Sequence, residues 1–542
     1  MLSLAAILLF VLFITLPYSN QAFHIDDAVF LDFAEKNLEQ PFSQHVDDYH
    51  MMGEDFGVWR DTHPPVNSLY IALVMYLTGG DSEQPLHIAY IIFPLVAGIS
   101  MYFLARRFTG YPLPAALLLL ATPVVMVMSH NLMADVPMMA FWLAATALYI
   151  YGVDRDDTLL LALSAAAVTV AIFTGYQALA LLVLLPAYPL STGRLSRKNS
   201  LPFLLPAVAF ALFSLINISQ YGELPRFSHA GGTSLSAQHV LDRTQGMLLQ
   251  TGGVSVFPLI MIAVFSFNRW RAVLLAAAVT AATALGIHHY RSDDFTGAAS
   301  LVYIILLTAS LMLLAIVVSE STKQLIKAVR HRTVDTDFLF LALWFTVMLA
   351  GTLILLPHAT AKYMLPFLAP VVLVVFRELG SLPVTAGWKK TAAVAAVVLT
   401  FLAGTSISIA DYQLAGSYRD FAADFSGRYQ TSGTVWFIGE WGFRHYMEAE
   451  GYKYLSSGNE EVATGDIIVS PGVADWPLAE TVSSRMQPVE TIEAHSGFPV
   501  RILGRQADAG FYGTYWGTMP FAISRTPVEI FQVFVVGPRP AS

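Results

Sequence analysis

Apolar runs of about 16 to 21 residues recur from the N-terminus to about Ala410, and each is near the length that crosses ~30 Å of hydrocarbon as a helix. Hydrocarbon offers no water to satisfy the backbone, so such runs must close their hydrogen bonds internally, as helices do. Composition agrees: 13% of residues are charged and 55% hydrophobic, whereas soluble domains carry roughly a quarter charged residues. The chain reads as a polytopic α-helical membrane protein. Spans are predicted near 2–18, 85–105, 112–128, 136–151, 158–173, 177–191, 201–217, 253–267, 272–287, 300–318, 337–356, 364–376 and 391–409, about thirteen transmembrane helices in all. The first 17 residues lack a basic n-region and a small-residue cleavage pattern, so the first run is expected to be a retained helix. Residues 66–79 form a shorter run after Pro64 and Pro65, which suits a helix along the interface.

Cytoplasmic loops of membrane proteins are enriched in Lys and Arg. With the first helix ending outside, the predicted inside loops hold fifteen such residues, among them Arg106, Arg107, Arg194, Arg197, Lys323, Lys327 and Arg377. The longer outside loops hold six: Lys36, Arg60, Arg226, Arg243, Arg291 and Lys362. Counting 66–79 as a span would invert every later loop, so the same asymmetry supports the interfacial reading. The outer face then gathers the first loop (19–84), the turn 129–137, the Gly-containing loop 218–252, which reads equally as a lid or a linker, and the segments 288–295 and 357–363.

From Asp411 the pattern changes to short strand-like segments between Gly, Pro and Ser clusters. Two regions follow: a membrane core over 1–410 and an extracytoplasmic α/β domain over 411–542. In the tail, 434–441 reads as a strand and 442–451 as a helix ended by Gly451, with further strands at 465–471 and 529–537.

The outer loops carry the candidate chemistry. Asp26 and Asp27 stand just past the first helix, where a carboxylate at the bilayer surface can act as general base on a hydroxyl; an acidic helix cap is the competing explanation. His63, before Pro64 and Pro65, sits on a rigid turn, as a site group or as an incidental histidine. With Asp61 and His50 it could also hold a divalent cation. Asp135 falls at the outer boundary ahead of Pro137, where a near-membrane acid suggests function and helix capping explains it equally well. Lys362 stands at the outer end of another helix, placed either to hold a phosphate or to snorkel to the surface. Arg291 beside His288 and His289 adds a second phosphate candidate, against a solvated loop.

Several function classes are disfavoured. There is no cysteine, which removes disulfides, thiolate catalysis and Cys-based zinc sites. The net charge of −9 gives no basic surface for nucleic acid. Gly-rich phosphate loops, His-Glu-x-x-His and Gly-x-Ser-x-Gly are all absent, which leaves ATP hydrolysis, zincin proteolysis and nucleophile-elbow chemistry unsupported.

The pieces Asp26-Asp27, HPPVNSLYIAL at 63–73, RRFTG at 106–110, SHNLMADVP at 129–137 and KYMLPFLAP at 362–370, in that order and on those sides, resemble the GT-C membrane glycosyltransferases of the protein O-mannosyltransferase and aminoarabinose-transferase type. The resemblance spans the membrane core. It implies a polyprenyl-phosphate-linked sugar donor, a glycan, lipid or protein acceptor, and a bacterial inner or plasma membrane with the site outside. Asp26 would be the base, with Asp27 its partner, although the family often has Asp-Glu there. Asp135 would match the family acid, and Lys362-Tyr363 the place where Arg-Tyr is common. No cofactor is required by this pattern, and a divalent cation stays open. The competing class is a transporter or flippase for a lipid-linked saccharide. Such proteins tend to carry ionisable or broken-helix features at mid-membrane, whereas the charges here gather at helix ends.

Overall fold

The computed structural model describes residues 1–39, 49–51, 54–56, 64–222, 224–225, 237–254, 269–289, 297–331, 334–355, 358–428, 433–456, 462–475 and 478–538. Among these, eight helices are long and apolar enough to cross a membrane, and five shorter apolar helices join them, against the thirteen spans expected. The span expected at 253–267 lies almost wholly outside the described residues, because the Ala237–Val254 helix is followed only from Arg269. The chain is an integral membrane protein by these helices.

Two helices form the centre. Asp135–Arg155 and Leu365–Ser381 are buried along most of their length, and Trp142, Tyr149, Phe367 and Phe376 are essentially inaccessible. A helix apolar on all sides is shielded by others all round.

The sequence departs from simple spans at prolines. The run 112–128 is two helices, Pro112–Ala121 and Pro123–Met128, with Thr122 extended between them at φ −61°, ψ 140°. The clash between a proline ring and the preceding residue drives that residue out of the helical region. Val66–Thr78 is a helix of 13 residues closed by Gly79 at φ 82°, a left-handed position that glycine occupies without cost. At 1.5 Å per residue it is about 20 Å long, short of the hydrocarbon thickness.

The last bundle helix does not stop at Ala410. It runs from Ala386 to Arg428, 43 residues, or roughly 65 Å, so the division expected at 410/411 falls within one continuous helix. Beyond it a five-stranded mixed sheet has the order Lys453–Tyr454, Val435–Phe437, Ile467–Pro471, Glu529–Val536, Met486–Ala494. The first three strands are parallel; Glu529–Val536 runs antiparallel to both its neighbours. The helix Trp441–Ala449 follows the first strand in sequence, and Gly451 past its end has φ 82°.

The sheet region and the bundle share a core. Phe531 stacks on Phe421 of the long helix with ring centres 3.8 Å apart, and Tyr418 donates to the buried Glu529 at 3.0 Å. At Gly442 a Cβ would lie 2.0 Å from the Phe23 carbonyl oxygen. Only glycine permits so close a backbone approach, and it seats the Trp441–Ala449 helix directly on the start of the first loop. Tyr446 finishes that contact: its hydroxyl accepts from the Phe23 amide at 2.8 Å and donates to Glu83 at 3.0 Å.

Candidate active site at the helix ends

After the first helix the chain turns through Gln21 to Ile25 and starts the helix Asp27–Glu39. Ile25 has φ 48°. A β-branched residue in the left-handed region is an outlier that the surroundings must hold in place. Asp26 follows, its carbonyl accepting the Phe30 amide at 3.1 Å, so it opens the helix.

The two carboxylates have different environments. Asp27 is fully buried; one oxygen accepts the Leu132 amide at 2.7 Å and the other the His24 amide at 3.2 Å. Asp26 instead meets Lys362, whose Nζ donates to Oδ2 at 2.6 Å, with side-chain exposures of 21% and 12%. The Lys362 ammonium also feels the Asp135 carboxylate. Met133 Sδ is 3.8 Å from the same Nζ, and the Tyr363 ring centre is 6.0 Å away. Asp26, Asp135, Lys362 and Tyr363 thus come from three separated parts of the chain to one place.

The turn between Met128 and Asp135 is braced from several sides. Leu132 gives its N–H to Asp27 and its carbonyl to Asn67 Nδ2 at 2.8 Å, and Asn67 is itself held by the Tyr90 hydroxyl at 2.9 Å. His130 donates from Nε2 to the Ile14 carbonyl at 2.7 Å and stacks on Tyr18 at 4.1 Å. Burial pushes its pKa down to about 4, so it is neutral and serves as a brace.

Behind the acidic pair lies a buried polar hub. His24 Nε2 is 3.0 Å from Asp411 Oδ1 and 3.2 Å from the Tyr512 hydroxyl, which donates to the same Asp411 oxygen at 2.8 Å. Gln21 donates to the other Asp411 oxygen at 3.0 Å, and His24 Nδ1 stands 3.6 Å from Asp27. Burial opposes a charge on His24, but Asp411 and Asp27 hold its pKa up at about 10, so the imidazole is a cation between two carboxylates. Sequence reasoning missed His24, Asn67, Tyr90, Asp411 and Tyr512. For Asp411 a signal existed, an acid directly after the apolar run ending at Ala410; Tyr512 gave none.

Arg291, His63 and Asp61 lie outside the described residues, and so does the side chain of His50. No group of three His, Asp or Glu residues fit to hold a metal occurs among the described residues.

Residues 62–217 match the family described as dolichyl-phosphate-mannose-protein mannosyltransferase. That stretch includes Asn67 and the 129–137 turn. The likeness to the GT-C membrane glycosyltransferases holds. The archaeal oligosaccharyltransferase AglB from Archaeoglobus fulgidus, solved with an inhibitory peptide and a dolichol-phosphate, is 12% identical with a TM-score of 0.50, over 86% of this chain and 69% of that one. ArnT from Cupriavidus metallidurans bound to undecaprenyl phosphate is 15% identical with a TM-score of 0.40, over 86% and 92%. The arabinofuranosyltransferase AftD from Mycobacteria is 14% identical with a TM-score of 0.39, over 99% of this chain and 40% of that one. No curated protein matches the sequence significantly. In this GT-C-like chain the matched stretch supplies one wall of the site, while Asp26 and Lys362 lie on either side of it in sequence.

Proposed function

We propose that this chain transfers a sugar from a polyprenyl-phosphate donor to an acceptor hydroxyl on the outer face of the membrane, with inversion at the anomeric carbon. The observation that carries the proposal is the Asp26–Lys362 pair, with Asp135 beside it, at the ends of apolar helices. The family matched by residues 62–217 is named for a lipid-phosphate sugar, and ArnT was solved with undecaprenyl phosphate.

Lys362 is the phosphate-binding residue. A donor phosphate competes with Asp26 for its ammonium, and the exchange leaves the Asp26 carboxylate to accept the proton of the incoming hydroxyl. The acceptor oxygen then bonds to the anomeric carbon as the bond from that carbon to the phosphate oxygen breaks. Its electron pair leaves with the lipid phosphate, whose charge Lys362 offsets. An apolar cleft of about 330 Å³, walled by Tyr70, Ile92, Phe93 and Phe141, begins at Asn67 and Pro137, two residues past Asp135. Its lining suits an isoprenoid chain entering from the membrane.

Asp26→Asn keeps size and removes the base. Transfer is expected to fall by about 10²–10⁴-fold while binding of undecaprenyl phosphate persists. Full transfer by this variant would overturn the reading, as would donor movement across vesicles without glycosylation. Mass spectrometry of envelope glycans and glycoproteins from cells with and without the chain identifies the sugar and acceptor together.

A further inference from the structure

The proposed base and the proposed phosphate-binding lysine are both approached by the same short piece of the tail. The Phe511 carbonyl accepts the Ala361 amide at 2.9 Å, and the Thr514 amide donates to the Ala359 carbonyl at 3.1 Å. These two bonds clamp the segment leading into Lys362. Between them, Tyr512 points the other way, its hydroxyl 2.8 Å from Asp411 and 3.2 Å from His24, two residues before Asp26. The piece is anchored to the sheet region behind it. Phe511 N donates to the Ile502 carbonyl at 3.1 Å, and Trp516 Nε1 to the Val473 carbonyl at 2.9 Å.

Ile25 explains why such a clamp is needed. Its φ of 48° is costly for a β-branched side chain, and it sets the direction in which Asp26 leaves the turn. His24 before it is fixed by Asp411 and Tyr512; Asp27 after it is fixed by the Leu132 amide. Released on the His24 side, Ile25 can relax to negative φ and swing Asp26 off Lys362. Functional strain persists only where neighbours over-determine it, and here the neighbours on the His24 side are a tail residue, Tyr512, and Asp411 from within the long Ala386–Arg428 helix.

We infer that the Phe511–Thr514 segment is a positioning device of the tail, which registers Asp26 against Lys362 by holding the backbone before each of them. This inference rests on the function proposed above. His24, Asp411 and Tyr512 are positioning residues in it; Asp26 and Lys362 act on substrate.

The test uses the full-length protein in membranes, with the glycosylated envelope product measured by mass spectrometry per molecule of protein, and with undecaprenyl phosphate as the binding probe. Tyr512→Phe removes one hydroxyl and keeps the ring. Product is expected to drop about tenfold while undecaprenyl phosphate binding stays within twofold. Adding Ile25→Gly, which adopts the left-handed backbone freely, is expected to restore product to within about threefold of the parent, since the turn no longer needs the clamp. Should I25G not be recovered from membranes, Ile25→Asn replaces it, because Asn tolerates that region. Wild-type product from Y512F, or a Y512F defect that neither Ile25 variant relieves, would overturn the inference. Asp26→Asn run alongside separates the two claims. An inactive D26N with a fully active Y512F removes the positioning role alone, whereas an active D26N removes the proposed base and this inference with it.

Discussion

The two central helices carry opposite kinds of charge chemistry at their two ends. Asp135–Arg155 and Leu365–Ser381 begin beside the Asp26–Lys362 pair and finish in a second ionic cluster. In that cluster Arg107 uses its whole fork: Nε to Asp154 at 2.6 Å, NH1 to Asp337 at 2.9 Å, and NH2 to Tyr188 at 2.9 Å and Asp337 at 3.2 Å. Arg194 adds to Asp154 at 2.8 Å and Arg377 reaches Asp335 at 2.5 Å. Arg271 joins Glu378 and Glu320 nearby. A planar guanidinium held by several acceptors has one geometry. At the other end a lysine, a point charge on a flexible stem, feels two carboxylates, and on the proposed function it would exchange one of them for the donor phosphate. One end locks the helices, and the other holds the cation proposed to change partners.

That contrast can be broken by exchanging what each end loses. The largest effect is expected from Asp26→Asn, which stops turnover while leaving the thermal midpoint in detergent near that of the parent. Arg107→Ala should do the reverse. Losing hydrogen bonds between charged groups costs about 1.5–3 kcal/mol each, so the midpoint falls, while product per folded molecule holds. If Arg107→Ala abolishes turnover in folded protein, the two ends are not separable in this way. Next in size, Lys362→Ala removes one charge-assisted contact and should raise the apparent donor KM by roughly 10- to 100-fold, with a smaller change in kcat; an unchanged donor KM takes Lys362 out of the phosphate site. Asp135→Asn should change kcat/KM only a few-fold, measured with the same donor.

A separate effect, on stability and not on turnover, is a pH response of the hub. His24 is raised to about 10 by Asp411 and Asp27 against the cost of burial, relative to ~6.5 for a free histidine. The folded state therefore holds a proton that the unfolded state gives up between those values. The stability from this pair is complete below about pH 6.5 and is lost as pH rises through about 10. Thermal midpoints measured from pH 6.5 to 10.5 should fall in the parent and stay flatter in His24→Gln.

Asp26, Asp135 and Lys362 could be picked out of the sequence because each interrupts or ends an apolar run, where an isolated charge stands out. Their convergence rests on the bundle, and Asp26 and Asp27 looked alike until their surroundings separated them, one open to Lys362 and the other closed on the Leu132 amide. The hub was hidden for a different reason. His24 and Tyr512 are 488 residues apart, and no periodicity reports a contact of that span. The helix end at Arg428 escaped because hydropathy falls after Ala410 while the pattern turns amphipathic. Leu414, Tyr418, Phe421 and Phe425 still face the core, and a helix needs only that stripe to continue.

The His24–Tyr512 contact also sets an order in time. Synthesis runs from the N-terminus at about 5–20 residues per second, so roughly half a minute to a minute and a half passes between the emergence of Asp26 and that of Tyr512. Within that interval Leu132 and later Asp411 are made, but the Tyr512 hydroxyl that completes the hub around His24 is not. On the positioning proposed above, the nascent chain would be latent: the carboxylate proposed as base is made early and would be set against Lys362 only once Tyr512 has followed it.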